Sequence, residues 1–402
     1  MGYWKDRMIS QQEQGWHFVD DSLYVCAECF DDDAITQFIE DNASEQECNY
    51  CGEHSEVAIA TSMNSVLEII GDAVRSGYED PANSLPVEGG EYLFPTMDIE
   101  DVLDEVGWPT QSDPVTKEIR DAFHGSIWVR KNFFGLREDE QLRYGWGDFV
   151  EEVKHKTRYL FSLERPPDSP FVDDSIPPHK MLNHIGKAIE DVGLIRTVMI
   201  GSQWLRARIH DFEESYSSAS ELGTVPQDKA IYANRMSPAG IPMFYGAIDE
   251  ATAIAETYMP KSGRKAVATV GTFKTARDIQ ILDLTNLPPM PSFFDQSNRH
   301  LRPAISFLRD FVKDLTKPIN KDGREHIDYV PTQIVTEYFR HVFQTPASKG
   351  VKGILYFSSQ VHTGTCCVLF FNEDHCCDAT GEWDSDPEKW LGLIQVTRKN
   401  LE

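Results

Sequence analysis

Apolar positions along the chain change their spacing near residue 180. In the first part they recur at helical steps: Ile59, Met63, Val66, Ile70 and Val74 fall three or four apart and share one helix face. Asp113-Pro114 reads as an N-cap followed by proline in the first turn, and Ile119 and Phe123 continue an apolar face. Phe149 to Leu160 predicts a further helix. Later in the chain short β-rich runs appear: Lys265 to Phe273, Ile279 to Leu284, Gly353 to Phe357 and Cys367 to Phe371 predict strands. Ala251 to Met259 and Ile334 to Phe343 predict helices between them. Glu164 to Lys180 carries prolines 166, 167, 170, 177 and 178 among acidic and serine residues. Proline denies hydrogen bonds to helix and sheet alike, so this stretch predicts a linker. The expected organisation is α+β in four parts: a lobe over 1–54, a helical domain over 55–165, a linker over 166–180 and a mixed α/β domain over 181–402.

Charge narrows the partners. Lys plus Arg number 38 against 65 Asp plus Glu, a formal net charge of −27 over 402 residues. Such a surface repels phosphate backbones and anionic lipid, so nucleic acid and membrane are poor partners, and a small anionic ligand needs a local basic pocket. No run approaches the roughly 18 to 20 apolar residues of a membrane span. The polar start at Met1-Gly2-Tyr3-Trp4 has no apolar signal core, and the chain is expected in the cytoplasm.

The lobe over 1–54 holds Cys26-Ala-Glu-Cys29 and, after eighteen residues, Cys48-Asn-Tyr-Cys51. Paired CxxC knuckles at this spacing predict a structural zinc ribbon with all four positions filled by protein. Cys366-Cys367 and Cys376-Cys377 read as packed thiols. Phosphate cradles of the GxGxxG and GxxxxGK[ST] types are missing, as are HExxH and GxSxG. Arg120 and His124, with three residues between, miss the Arg–His spacing of HEPN nucleases, which is four to six.

The remaining chemistry gathers after residue 200. In Trp204-Leu-Arg206-Ala-Arg208-Ile-His210, strand geometry turns Arg206 and Arg208 to one face, either for bidentate phosphate binding or as surface salt bridges. A turn-rich loop, Asn234-Arg235-Met236-Ser237, leads to the aromatic pair Phe244-Tyr245. Glu256 then stands as one acid among Ala253, Ile254 and Ala255, where a carboxylate calls for a partner or a task. Asp283-Leu-Thr285, Thr332-Gln333 through Glu337, and Tyr356-Phe-Ser358-Ser359 before Val368-Leu369-Phe370 complete the series.

In order and spacing this series, from near Arg196 to near Val396, resembles the RES domain of NAD+-degrading toxins, whose architecture is similar to ADP-ribosyltransferases. The N-terminal half resembles the zinc-containing, HEPN-like extension of longer members. The resemblance implies cleavage of the nicotinamide–ribose bond of NAD+, with inorganic phosphate as co-substrate. It places the family's first arginine on Arg206 or Arg208, its loop arginine on Arg235, its tyrosine on Tyr245, its glutamate on Glu256 and its serine on Ser358 or Ser359; the catalytic candidates are then Glu256, Arg206, Arg208, Tyr245 and Ser358, and the ligand-binding candidates Arg235, Ser237, Phe244, Ser359, Gln333 and Glu337. It implies an antitoxin or regulatory protein as partner, and leaves open whether the chain forms a homo-oligomer. Many members carry an asparagine before the final strand, and this chain departs from that pattern with Cys366-Cys367. Two other functions compete: transfer of ADP-ribose to a protein or nucleic acid, and a noncatalytic zinc-ribbon interaction protein.

Overall fold

The apolar stripe beginning at Ile59 folds as the helix Met63–Gly77, with Met63, Val66, Leu67, Ile70 and Val74 fully buried. Residues 60–62 instead pair as a strand. The computed structural model describes residues 15–164, 174–258, 266–318, 323–345 and 350–401. Two units form, Met1–Arg137 with Pro289–Arg302, and Glu138–Pro288 with Pro303–Glu402.

In the first unit, β1 (Tyr24–Cys26) pairs with β2 (Ala60–Ser62). Of β3 (Tyr78–Glu79), β4 (Val87–Glu88), β5 (Glu91–Tyr92) and β6 (Val129–Arg130), β3 pairs with β6 and β4 with β5. Helices Asp33–Asp41, Ile99–Val106 and Asp113–Ala122 share a core with Met63–Gly77 around Trp16 and Phe123, and Phe294 enters the same core from the 289–302 segment. Ser112 is the N-cap of the third of these helices, so Asp113 and Pro114 are its first two residues and the helix begins one residue earlier than the sequence implied.

The helix expected from Phe149 starts earlier, as Glu138–Glu151, and continues through one π-helical turn, Glu152–Lys156. Its buried residues Leu142 and Trp146 lie among glycines and acids, which blurs the apolar period before Phe149. Residues 165–173 of the expected linker lie outside the described residues, as do Met259 and Lys265 at the ends of two expected elements. The linker ends sooner than expected: Pro178 opens the helix Pro178–Val192, at a position where a missing N–H costs nothing.

The second unit is built on a mixed sheet. Its strands are β7 (Ile195–Val198), β8 (Gln203–Asp211), β9 (Phe244–Ala247), β10 (Ala266–Thr275), β11 (Ile279–Asp283), β12 (Gly353–Phe357), β13 (Thr365–Leu369), β14 (Cys376–Asp378) and β15 (Leu391–Leu401). Their order is β14-β15-β10-β8-β9-β13-β12-β11-β7, with β11–β12 and β14–β15 parallel and the other pairs antiparallel. One face carries Ile354 and Val368, packed on residues from helices Glu138–Glu151, Pro178–Val192, Arg302–Thr316 and Val330–His341. The other carries Trp204, Phe244, Leu355 and Cys367, covered by Ala219 and Leu222 of the short helix Ala219–Leu222.

Within the larger core Phe311 is fully buried, 5.0 Å from Trp146 edge-on and 5.6 Å from Phe307. Phe311→Ala is expected to destabilise the second unit by about 3–5 kcal/mol, because a cavity opens where two rings lose a neighbour. Urea unfolding followed by tryptophan fluorescence measures the shift.

Candidate active site

The middle of the sheet is nearly divided. β8 and β9 are joined by one antiparallel pair, Leu205 with Ala247, whereas β8 and β10 pair over nine residues. Close approach at that pair needs a glycine next to it: a Cβ on Gly246 would lie 2.9 Å from the Phe244 ring and 3.0 Å from the Leu205 carbonyl. Beyond the pair the strands part, and a cavity of about 480 Å³ is lined from both sides, by Arg206 and Arg208 of β8 and by Tyr245 of β9. That volume lies within the roughly 300–1,000 Å³ of small-molecule sites.

Arg206 and Arg208 do share a face, as strand alternation requires, but it is the face of Trp204 and Phe244. The helix Glu250–Thr257 packs on the opposite one, over Ala207 and Ala247. Arg206 is buried, donates from Nη1 to the Tyr245 carbonyl at 2.6 Å, and lies 5.4 Å from the Phe244 ring centroid. Its Nε is buried without a partner. Burial first, and Arg208 second, push its pKa well below the usual arginine value. The Arg208 guanidinium is held by the carbonyls of Gly223 (2.8 Å) and Glu221 (3.4 Å) at the end of the Ala219–Leu222 helix.

Glu256 lies in the last turn of the Glu250–Thr257 helix and is exposed, so the apolar burial that its alanine neighbours suggested does not occur. Its partner is Ser358, whose hydroxyl donates to Glu256 Oε1. The backbone amides of Gln360 and Val361 both donate to Ser358 Oγ at 3.0 Å, which leaves the hydroxyl proton free to point at the carboxylate. Gly364 makes this approach possible, since a Cβ there would lie 2.5 Å from Thr252 Oγ1 on the same helix.

The loop before β9 is held from below. Gln333 Nε2 donates to the carbonyls of Asn234 (2.8 Å) and Ser237 (3.2 Å), and the Thr332 hydroxyl donates to the Arg235 carbonyl. The Tyr245 hydroxyl meets Ser237 Oγ at 2.9 Å, and burial pushes its pKa up to about 12, so it stays protonated at neutral pH. Arg235 donates from Nη1 to the Leu315 carbonyl at 2.8 Å and lies 5.9 Å from the Tyr329 ring.

The family model for HEPN/RES N-terminal domain 1 matches residues 41–167, and the RES domain model matches residues 203–386. This is a RES-domain chain with a HEPN/RES N-terminal region. No curated protein and no solved structure matches it.

Of the residues singled out in the sequence, Arg206, Arg208, Arg235, Ser237, Tyr245, Glu256 and Ser359 line the RES-domain cavity. Four do not. Ser358 stands behind Glu256, Phe244 lies under Arg206, and Gln333 uses its amide on loop carbonyls. Glu337, one turn further along the helix, lies beside Arg340. The cavity also takes in Lys229, Tyr329, Tyr356 and Cys366, none of which the sequence had marked as a catalytic or binding residue. Tyr356 and Cys366 were within reach of strand arithmetic: Tyr356 is two before Ser358, and the two residues face each other across β12 and β13. Lys229 had no such signal, because a 3-10 turn brings it in. Asp283, read as part of the series, instead binds Arg196 at 2.6 Å and caps Thr285.

In the first unit the sulfurs of Cys26, Cys29, Cys48 and Cys51 all lie within 4.8 Å of one another. Neighbouring pairs are 3.5, 3.7 and 3.8 Å apart, close to the roughly 3.8 Å edge of a tetrahedron with 2.3 Å metal–sulfur bonds. Burial first, then neighbouring thiols, raises the pKa of Cys26 and Cys29. Four sulfurs this close could hold a metal ion, to which they would bind as thiolates. The Cys26 amide already points at Cys48 Sγ, 3.3 Å away. Purified chain is expected to carry one equivalent of a thiophilic divalent metal by elemental analysis. Cys29→Ser should lose it and lower the unfolding temperature of the first unit, because the remaining thiols no longer close the site.

Proposed function

We propose that this RES domain cleaves NAD+ between nicotinamide and ribose, with inorganic phosphate attacking, to give nicotinamide and ADP-ribose-1″-phosphate. The observation that carries this reading is the charge of the cavity. Arg206, Arg208, Lys229 and Arg235 line it with Glu256 as the one carboxylate among the described residues, in a chain of net charge −27. NAD+ has a matching layout: an anionic pyrophosphate joined through ribose to a cationic ring.

In the reaction the C1″–N bond breaks and its electron pair leaves with neutral nicotinamide. Positive charge passes to the ribose carbon and ring oxygen, where the Glu256 carboxylate stabilises it. A phosphate oxygen closes the new bond to C1″, and the phosphate proton is lost to solvent. Ser358 keeps the carboxylate aimed, and the basic residues hold the pyrophosphate and the incoming phosphate. Phosphate is already anionic at neutral pH, while water as nucleophile asks for a base of its own. Glu337 lies outside the cavity lining, which leaves no second carboxylate for that task among the described residues.

Depletion of the cytoplasmic NAD+ pool would make the chain a toxin, restrained by an antitoxin or another regulatory protein. The cysteine quartet suits Zn²⁺ in a structural role, since four protein sulfurs leave no position for substrate.

The test is incubation of the full chain with NAD+, with and without phosphate, and mass detection of products. ADP-ribose-1″-phosphate that forms only with phosphate is expected. Glu256→Gln should slow turnover by about 10²- to 10³-fold, and Ser358→Ala by about tenfold, the worth of one hydrogen bond to a charged group. ADP-ribose formed regardless of phosphate would make water the acceptor. ADP-ribose attached to a macromolecule would make the chain a transferase, and intact NAD+ would sink the reading.

A further inference from the structure

Both anchors of Arg235 stand next to residues gripped by one distant segment. The guanidinium donates to the Leu315 carbonyl, and the preceding residue, Asp314, accepts from Trp146 Nε1 at 3.0 Å. The same guanidinium lies against the Tyr329 ring, and the preceding residue, Asp328, pairs with Lys154 Nζ at 2.9 Å. Trp146 and Lys154 belong to one continuous stretch, the helix Glu138–Glu151 and its π-helical turn Glu152–Lys156. That stretch falls within the HEPN/RES N-terminal match, 41–167, yet it packs in the second unit, with Trp146 against Phe311.

We propose that Glu138–Lys156 is a positioning clamp for the cavity: it sets Arg235 through Trp146–Asp314 and Lys154–Asp328, so the N-terminal region contributes directly to ligand affinity. The contacts are of the kind that fixes geometry. Trp146 is buried, and the Lys154 and Asp328 side chains are only 20% and 29% exposed, so the pair is shielded from full solvent screening. The hydrogen bond from Lys154 is the main cause of a lowered Asp328 pKa, as a close ion pair requires. The π-helical turn fits the role, since such turns widen a helix locally and are frequent beside functional sites. Thr332 and Gln333, one turn after Tyr329, grip the backbone of the loop that carries Arg235. A shift of Asp328 would therefore reach both the side chain and the main chain of Arg235.

The inference rests on NAD+ as ligand, and the experiment separates its failure from failure of that reading. In the full chain, Trp146→Phe keeps the ring and removes the donor, and Lys154→Met keeps the stem and removes the charge. Steady-state kinetics with NAD+ at saturating phosphate should give KM raised about fivefold by each and about twentyfold by both, with kcat within about twofold, as expected for loss of binding made equally in ground and transition states. Lys154→Arg should restore KM. In an Arg235→Ala background the same two substitutions should change KM by less than about twofold, because the group they position is gone. A wild-type chain that turns over NAD+ while Trp146→Phe/Lys154→Met keeps its KM would overturn the clamp alone. So would an effect of equal size with and without Arg235, or a loss confined to kcat and unfolding temperature. A wild-type chain that leaves NAD+ intact removes the reading beneath it as well.

Discussion

A single residue pair, Leu205 with Ala247, joins the two halves of the second unit's sheet, and the site depends on the strands parting beyond it. Had β8 and β9 stayed paired, ladder hydrogen bonds would fill the space that the cavity occupies. Instead the Tyr245 carbonyl accepts from a side chain, Arg206, which both satisfies the carbonyl and brings a cation to the gap. The Glu250–Thr257 helix on one face and the Ala219–Leu222 helix on the other then supply the opposing chemistry: a carboxylate from the first, and from the second the carbonyls that hold Arg208. The sheet is thus a partition between the acid and the two strand arginines, and the gap is where the two sides meet.

Periodicity reveals much of this and then stops for physical reasons. Alternation along Trp204 to His210 identified the strand and the common face of its arginines, because a strand's period is two whatever lies around it. The cysteine quartet was legible because metal spacing is local within each knuckle. Which face the arginines took was not legible, since it depends on Trp204 and Phe244 entering a core with residues more than 100 positions away, such as Leu369 and Phe371. The Glu256 environment was misjudged for a related reason. Alanines nearby in sequence suggested burial, but the residue stands at the exposed end of the helix. Gln333 and Glu337, four apart on one helix, diverge because the loop beneath Arg235 takes up the glutamine amide, and the glutamate lies one turn beyond.

The departure from the family pattern at Cys366-Cys367 acquires a geometric meaning. Alternation on β13 sends the two thiols to opposite faces: Cys366 lines the cavity across from Tyr356, and Cys367 joins the core with Phe244 and Leu369. Burial first, and Glu256 second, raises the Cys366 pKa, so the thiol stays protonated. A neutral thiol beside Glu256 adds no second negative charge to the carboxylate's surroundings. It also lacks the amide donor and acceptor of asparagine, and the hydrogen-bonding side chains of Ser359 and Gln360 line the same cavity.

Arg206 shows why an anion belongs in this gap. An arginine that is 7% exposed ordinarily has a carboxylate, yet the charged neighbour that acts on it most is another arginine. Among the described residues the guanidinium has one carbonyl and one ring face, and these do not replace a counter-ion. Pairing of β8 with β10 over nine residues holds the side chain at the gap. An anionic ligand would supply charge and acceptor together, and it would meet cations that the strand already holds in place, so little reorganisation is asked of the groups that receive it. The same reasoning explains how so acidic a chain could take up an anion at all: the long-range repulsion of the surface is opposed at one place by cations that the sheet has already desolvated.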